Sequence, residues 1–501
     1  MCAVVQTECP LNVAEQMLAG GRGDAAAIEF GSCTVSFAEL DRDAGRCGAA
    51  LLARGTRPGD RVGLFSQNNP FFVAAYLGTL RAGLCSVPIR PDCRAADLRR
   101  IVQSTGMQFL LCCDRLLPRL RPCAAGLDLA VLGEAEVLSA GARPPSAWPA
   151  IDPHRDLAAI MFTSGSTGEP KGVMVTHANI ASNTRAILEY MALTADDRVM
   201  VVLPFHYCYG ASLLHTHLMA GACLVIENRF LFPAVVLDEM TRRRCTGLAG
   251  VPSTYQILLR NAGMAGRRLP ALRWLQQAGG RLPDAVIREI LAAFPEVKFY
   301  VMYGQTEATA RLSYLPPERL ADKLGSIGRG LGTARLEVLR PDGTPVAPGS
   351  GEVGQIVAAG GGISPGYWGD PAETARYFRA GKLYTGDLAT LDQEGFIFVV
   401  GRTREFIKAM GHRVSPLQIE AVLAEMPEVV EAAVVGVPDE IRGEAIKAFV
   451  VRAAGRQLSE DAVRAHCLSQ LPNYLAPQYV EFLASLPKTA DGKLARERLR
   501  T

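Results

Sequence analysis

The chain has 501 residues, 49% of them hydrophobic and 21% charged, with a formal net charge of +3. That length is too great for one ordinary core and predicts two or three domains. The near balance of charge excludes a dominant nucleic-acid or anionic-membrane surface, and no run reaches the roughly 18 to 20 apolar residues of a membrane-spanning helix.

The first residues, MCAVVQTECPLNVAEQMLAGG, carry two glutamates and no basic start, so they do not read as a signal peptide. The thirteen cysteines are irregularly spaced and contain no CxxC pair. That predicts reduced, mostly buried thiols in a cytoplasmic protein and no structural zinc site.

Residues 37–55 place apolar side chains at helical spacing and stop at Gly55, a suitable C-cap. PGDRVGLFS then predicts a turn and a strand, residues 70–83 a helix, and LCSVPI a strand. This alternation argues for a layered α/β domain. The proline-rich residues 142–156 are predicted irregular. LAAIMF and VMVTH are predicted strands joined by TSGSTGEPKG, residues 163–172, and a helix follows over 178–191. From 196 to 315 the strands RVMVVLP, GACLVIE and KFYVMYG are separated by three expected helical stretches. After about residue 320 dense Gly and Pro punctuate short strands, which predicts a β-rich subdomain. Beyond GRTR a further α/β unit is expected: helices near 415–426 and 459–471, with strands VEAAVVGVP and KAFVV. The division is therefore 1–403 and 404–501, with no internal repeats.

TSGSTGEPKG reads as a phosphate cradle. Gly165 and Gly168 let backbone N–H groups approach an anion, Thr163, Ser164, Ser166 and Thr167 add hydroxyl donors, and Lys171 adds a cation. A Ser/Gly-rich surface loop is the plain alternative on composition. A Walker A loop is rejected, because Pro170 precedes Lys171, Gly172 follows it, and a strand comes next instead of a helix. GSGEVG, residues 349–354, spells G-x-G-x-x-G but follows PVAP and opens no helix, so a dinucleotide fingerprint is rejected too.

The whole string MFTSGSTGEPKGVMVTH resembles the phosphate-binding signature of AMP-forming adenylating enzymes. These are the acyl- and aryl-CoA synthetases, the adenylation domains of peptide synthetases and the firefly luciferases. Further motifs of that family follow in order. YGQTEAT (303–309) is similar to Y-G-x-T-E, which implies Tyr303 and Gly304 against the adenine, Thr306 by the α-phosphate, and Glu307 on Mg²⁺. YTGDL (384–388) implies that Asp387 accepts from the ribose hydroxyls. QQAGGRL (276–282), with Gly280, resembles the adenine and acid-pocket wall but departs from the commoner S-G-G-A-P-L. GRTREFIKAMGHRVSPLQIE (401–420) resembles the hinge motif. It implies Arg402 at the ribose or phosphate, Arg404 at a hinge where relatives carry Asp or Lys, and Lys408 and Gly411 on the loop of the second half-reaction. LPKTADGKLAR (486–496) implies that Lys493 serves adenylation by meeting negative charge in the transition state. PFHYCYGASLLHTH (204–217) implies His206 as the pocket histidine, while His215 and His217 read as helix residues. Each short motif alone has an ordinary turn or surface reading; their order along one chain is what carries the resemblance.

The resemblance implies an α/β enzyme with a large N-terminal domain of layered α/β subdomains plus a β-rich subdomain. A small mobile α/β C-terminal domain would carry the catalytic lysine. ATP would activate a carboxylic acid to an acyl-adenylate, and a thiol would then displace AMP. Since no carrier domain follows Lys493 here, the expected acceptor is CoA or the phosphopantetheine of a separate carrier protein. Residues 203–220 hold no aspartate to pair with an ammonium, which favours a small carboxylic acid without a free α-amine. The runner-up is an enzyme that loads an amino acid onto a separate carrier. Luciferase-like oxygenation is another alternative. A non-catalytic binder would predict loss of Glu307, Asp387 or Lys493, and all three are present.

Overall fold

The structure, a computed structural model, describes residues 12–139, 141–164, 170–402, 407–409, 412–439, 443–453, 455–488 and 494–500. The chain divides into two compact units. One holds residues 1–228, 306–310 and 361–376; the other holds 229–305, 311–360 and 377–501.

The first unit contains a six-stranded sheet in the order Ala130–Gly133, Phe109–Cys112, Arg61–Phe65, Cys85–Ile89, Leu157–Ser164, Pro170–Thr176. Neighbours are parallel except the last two, which form an antiparallel hairpin. Strands covered on both faces read as apolar runs, and Val87, Leu110, Leu111 and Ile160 are fully buried. The helix Phe37–Leu52 opens with a capping box: Ser36 Oγ accepts from Glu39 N at 3.2 Å and Glu39 accepts from Ser36 N at 2.9 Å. It packs on Pro70–Arg81 so closely that a Cβ on Gly78 would stand 2.4 Å from the Ala44 carbonyl oxygen. A second group of strands in this unit pairs Arg198–Val201, Cys223–Ile226 and Ala26–Phe30 in parallel, with Cys33–Ser36 antiparallel to the last.

In the second unit Gly247–Gly250, Trp274–Gln277 and Lys298–Tyr303 pair in parallel, and Ser313–Leu315 returns antiparallel. Residues 196–315 hold four helices, Cys208–Met219, Pro233–Arg242, Pro252–Ala262 and Asp284–Ala293, where three were expected. The strands GLAG and WLQQ were not anticipated either. Neither alternates in polarity or carries a β-branched residue, yet every residue in both is buried. The β-rich expectation after residue 320 matches a sheet running Gly330–Leu331, Ala334–Leu339, Gly354–Gly360, Lys382–Leu391, Phe378–Arg379, with Ile397–Arg402 also on Lys382–Leu391.

The residues beyond 403 contribute a mixed sheet of Ile407–Ala409, His412–Val414, Val429–Asp439, Gly443–Arg452 and Tyr479–Leu483. The helices Pro416–Leu423 and Glu460–Gln470 supply Ile419, Leu423, Val463 and Cys467 to a core shared with Val434, Ile446 and Val450. Among the described residues no helix is long and apolar enough to cross a membrane. Eleven described cysteines are free thiols, nine of them buried.

Candidate active site

The hairpin Leu157–Ser164 and Pro170–Thr176 brackets the segment expected to bind phosphate, with Thr163 opposite Lys171 and Ser164 opposite Pro170. Gly165, Ser166, Thr167 and Gly168 lie outside the described residues, as does the side chain of Ser164. Thr163 is half-buried, its hydroxyl 3.5 Å from the Lys171 carbonyl oxygen. Gly172 allows the hairpin to close, because a Cβ there would meet Ile160 Cγ2 at 2.7 Å. The Lys171 ammonium pairs with Glu373 and lies 5.7 Å from the Tyr367 ring centroid.

The motif at 303–309 is divided between the units. On the first-unit side, Thr306–Ala308 forms a short 3₁₀ turn. Thr306 is buried and its hydroxyl donates to Cys208 Sγ at 3.3 Å. Glu307 is half-buried; its Oε1 accepts from the Tyr367 hydroxyl at 2.9 Å and its carbonyl accepts from Ser364 N at 2.9 Å. Thr309 has a positive φ of 67°, uncommon for a β-branched residue. Its hydroxyl donates to the Gly362 carbonyl at 2.7 Å, which holds that conformation.

On the second-unit side, Tyr303 ends the strand Lys298–Tyr303 and its hydroxyl donates to Asp387 Oδ2 at 2.6 Å. Burial, and then the charge of Asp387, raise the Tyr303 pKa well above its ordinary value. Asp387 Oδ1 accepts from Arg402 Nε at 2.8 Å. Asp387 and Arg402 face each other across the pair Lys382–Leu391 and Ile397–Arg402, so strand register brings them together. Asp387 is only 4% exposed. These residues line a cavity of about 400 Å³, together with Gln277, Gly279, Gly280 and Gly304. Gly279 has a φ of +86°, which makes the turn of QQAGGRL, and Gln277 Nε2 closes it by donating to the Gly280 carbonyl at 2.6 Å. Glu420, Lys488 and Arg496, from beyond residue 403, line the same cavity. Arg496 pairs with Glu420, and Lys488 with Glu431 at 2.6 Å. Arg311 is fully buried and donates to Gln276 Oε1 at 2.9 Å; nothing in the sequence pattern pointed to that burial.

His206 lies between the strand Arg198–Val201 and the helix Cys208–Met219. Asn68 holds its loop, donating to the Leu203 carbonyl at 2.8 Å and accepting from Phe205 N at 2.8 Å. A Cβ on Gly210 would stand 2.1 Å from the Pro204 carbonyl oxygen, so the turn into the helix requires glycine. His206 Nε2 is buried and makes no hydrogen bond among the described residues. Burial lowers its pKa from 6.5 to about 4 against the opposing charge of Asp92, so the ring is neutral at pH 7. Asp92 was not anticipated near this histidine; its carboxylate is taken up by Arg90 at 2.7 Å. His215 and His217 are buried helix residues as expected, and Tyr76 hydrogen-bonds His215 at 3.0 Å.

Lys493, Arg404 and Gly411 lie outside the described residues. Lys408 is in the strand Ile407–Ala409, with its side chain outside the description. Besides Asp92 and Asn68, the unforeseen neighbour of the site is Tyr367, for which the aromatic GYWG string was a signal. Cys208, which with Tyr207, Tyr209 and Gly210 reads from sequence equally as pocket lining or core packing, is buried and meets Thr306.

The profile of the AMP-binding enzyme family matches residues 16–368, and that of the AMP-binding enzyme C-terminal domain matches residues 418–493. A feruloyl-CoA synthase of Amycolatopsis sp is 33% identical over 477 residues, 95% of each chain. A sulfoacetate–CoA ligase of Cupriavidus necator is 34% identical over 479 residues, 93% of this chain and 92% of that one. The crystal structure of ATP-bound MatB from Rhodopseudomonas palustris superposes with a TM-score of 0.88 at 30% identity, covering 98% of both chains.

Proposed function

Because the chain belongs to the AMP-binding enzyme family and is an AMP-forming acid–thiol ligase, we propose that it joins a small carboxylic acid without a free α-amine to CoA. The observation that carries the nucleotide half of this reading is Asp387, buried between Tyr303 and Arg402 on the wall of the cavity. Its two oxygens offer about four lone-pair positions, and these two partners use two of them. The remaining two suit a ribose diol, with Gly279, Gly280 and Gly304 leaving room for the base.

In the first half-reaction a carboxylate oxygen of the acid attacks the α-phosphorus, and the bond to pyrophosphate breaks. Thr163, Ser164, Gly165, Ser166, Thr167 and Gly168 cradle the leaving phosphates, and Lys171 ties the strand that leaves the loop to Glu373. Thr306 orients the α-phosphate. Glu307 would hold Mg²⁺, which when bound offsets phosphate charge. Among the described residues no cluster of three metal-ligating side chains exists, and a single carboxylate suits an ion held mostly by substrate phosphates. Lys493 meets the negative charge that grows on the attacking and bridging oxygens. In the second half-reaction a thiolate attacks the acyl carbon and the bond to AMP breaks.

Residues 404–501 act as a mobile domain that supplies Lys493 to the first step and Lys408 to the second. Their own hydrophobic core supports that division. Neutral His206 faces the acid. The residues from 203 to 220 contain no acid, and Asp92 is already paired with Arg90, so an amino-acid substrate is not favoured. Relatives named as CoA ligases support CoA as acceptor over a carrier-bound phosphopantetheine. The free thiols among the described residues support a cytoplasmic setting.

The test is a mass-spectrometric product screen with ATP, Mg²⁺, CoA and a panel of carboxylic and amino acids. AMP together with an acyl-CoA is expected. Pyrophosphate exchange without any CoA thioester would redirect the reading to a carrier protein.

A further inference from the structure

Tyr367 belongs to no motif assigned above, yet its hydroxyl stands 2.9 Å from Glu307 Oε1. Everything around it holds that hydroxyl in place. The residues from 364 to 368 lie along the strand that leaves the phosphate loop. Met174 N donates to the Gly366 carbonyl at 3.0 Å, Trp368 N to the Gly172 carbonyl at 2.7 Å, and Ser364 Oγ to the Met174 carbonyl at 2.6 Å. Val173 and Tyr367 face each other as an antiparallel bridge. Tyr367 N donates to Thr374 Oγ1 at 2.9 Å, and Lys171 covers the ring. Trp368 is clamped in turn: its Nε1 donates to the Ser104 carbonyl at 2.8 Å and Arg61 lies 5.5 Å over its ring. Gly366, at φ +139°, passes so near Thr374 that a Cβ would meet Cγ2 at 2.4 Å. The Glu307 backbone is fixed to the same segment through Ser364 N.

We propose that Tyr367 is a positioning residue for the cation-holding carboxylate. Its hydroxyl fixes one oxygen of Glu307, and the other would be left for the ion. Because Tyr367 is paired with the strand that carries Lys171, it couples the aim of that carboxylate to the exit of the phosphate loop. A buried tyrosine that only filled space would need no phenol oxygen on a carboxylate. The proposal rests on the reading of Glu307 as the Mg²⁺ ligand.

Tyr367→Phe keeps the ring, the strand pairing and the lysine contact, and removes only the hydroxyl. The measurement is calorimetric binding of a non-cleavable ATP analogue, in EDTA and across a Mg²⁺ titration. The Mg²⁺ concentration for half-maximal tightening should rise about tenfold, equivalent to ~1.4 kcal/mol, while binding in EDTA stays the same. In a Glu307→Gln background the second substitution should add nothing. Unchanged Mg²⁺ dependence, an equal loss in EDTA, or additive effects would overturn the positioning role. Wild-type binding that ignores Mg²⁺ would instead overturn the reading of Glu307 itself, and the proposal with it.

Discussion

Each unit holds one carboxylate that meets a tyrosine hydroxyl, and the two are treated differently. Asp387 receives Tyr303 at 2.6 Å and the guanidinium of Arg402 at 2.8 Å, so its charge is balanced inside the protein. Glu307 receives the neutral Tyr367 at 2.9 Å, and among the described residues no cation pairs with it. A balanced, buried carboxylate is a stable acceptor for neutral hydroxyls. One aimed by a neutral donor keeps its charge for a cation. The difference teaches that the partner, more than the carboxylate, separates the ribose anchor proposed for Asp387 from the metal ligand proposed for Glu307.

The largest effect is expected away from both carboxylates. Lys493→Ala should slow adenylate formation by about 10²- to 10³-fold while thioester formation from supplied acyl-adenylate continues; equal loss of both steps would end its assigned role. Next, Asp387→Asn should weaken ATP binding by about 100-fold, with or without Mg²⁺, since hydrogen bonds to charged groups contribute ~1.5–3 kcal/mol each. If that loss depended on Mg²⁺, the contrast with Glu307 would collapse. Tyr303→Phe should cost about tenfold in ATP affinity and stay indifferent to Mg²⁺, which sharpens the comparison with Tyr367→Phe.

A separate effect is read on stability instead of on nucleotide binding. Burial lowers the pKa of His177 and His206 from 6.5 to about 4, and that of His215 to about 3. Between pH 6.5 and about 4 the unfolded chain takes up protons that the folded chain refuses. Stability from these groups is therefore present above pH 6.5 and is lost as pH falls through that window, by up to ~1.4 kcal/mol per unit for each histidine. Denaturant midpoints at pH 7 and pH 5 check this; equal midpoints would contradict it.

Much of the fold was legible because its signals are local. The helices Phe37–Leu52 and Pro70–Arg81 follow apolar spacing, although the first caps at Ala53, two residues before the expected Gly55, and the hairpin around residues 165–169 follows two apolar runs separated by glycines. GLAG and WLQQ were missed because burial made them strands, with no pattern of their own.

The sequence by itself determined which side chains are candidates for the chemistry, Glu307, Asp387, Lys493 and His206 among them, and their order along the chain. It did so because reactive groups and turn-forming glycines leave a mark in residue type and short spacing. Only the tertiary structure decided what the described ones meet. Tyr367 reaches Glu307 from sixty residues away through pairing with the strand Pro170–Thr176. Arg402 reaches Asp387 through the register of two strands, and His206 is neutral because its surroundings exclude water. Strand register and burial are sums over residues distant in sequence, so no local pattern records them.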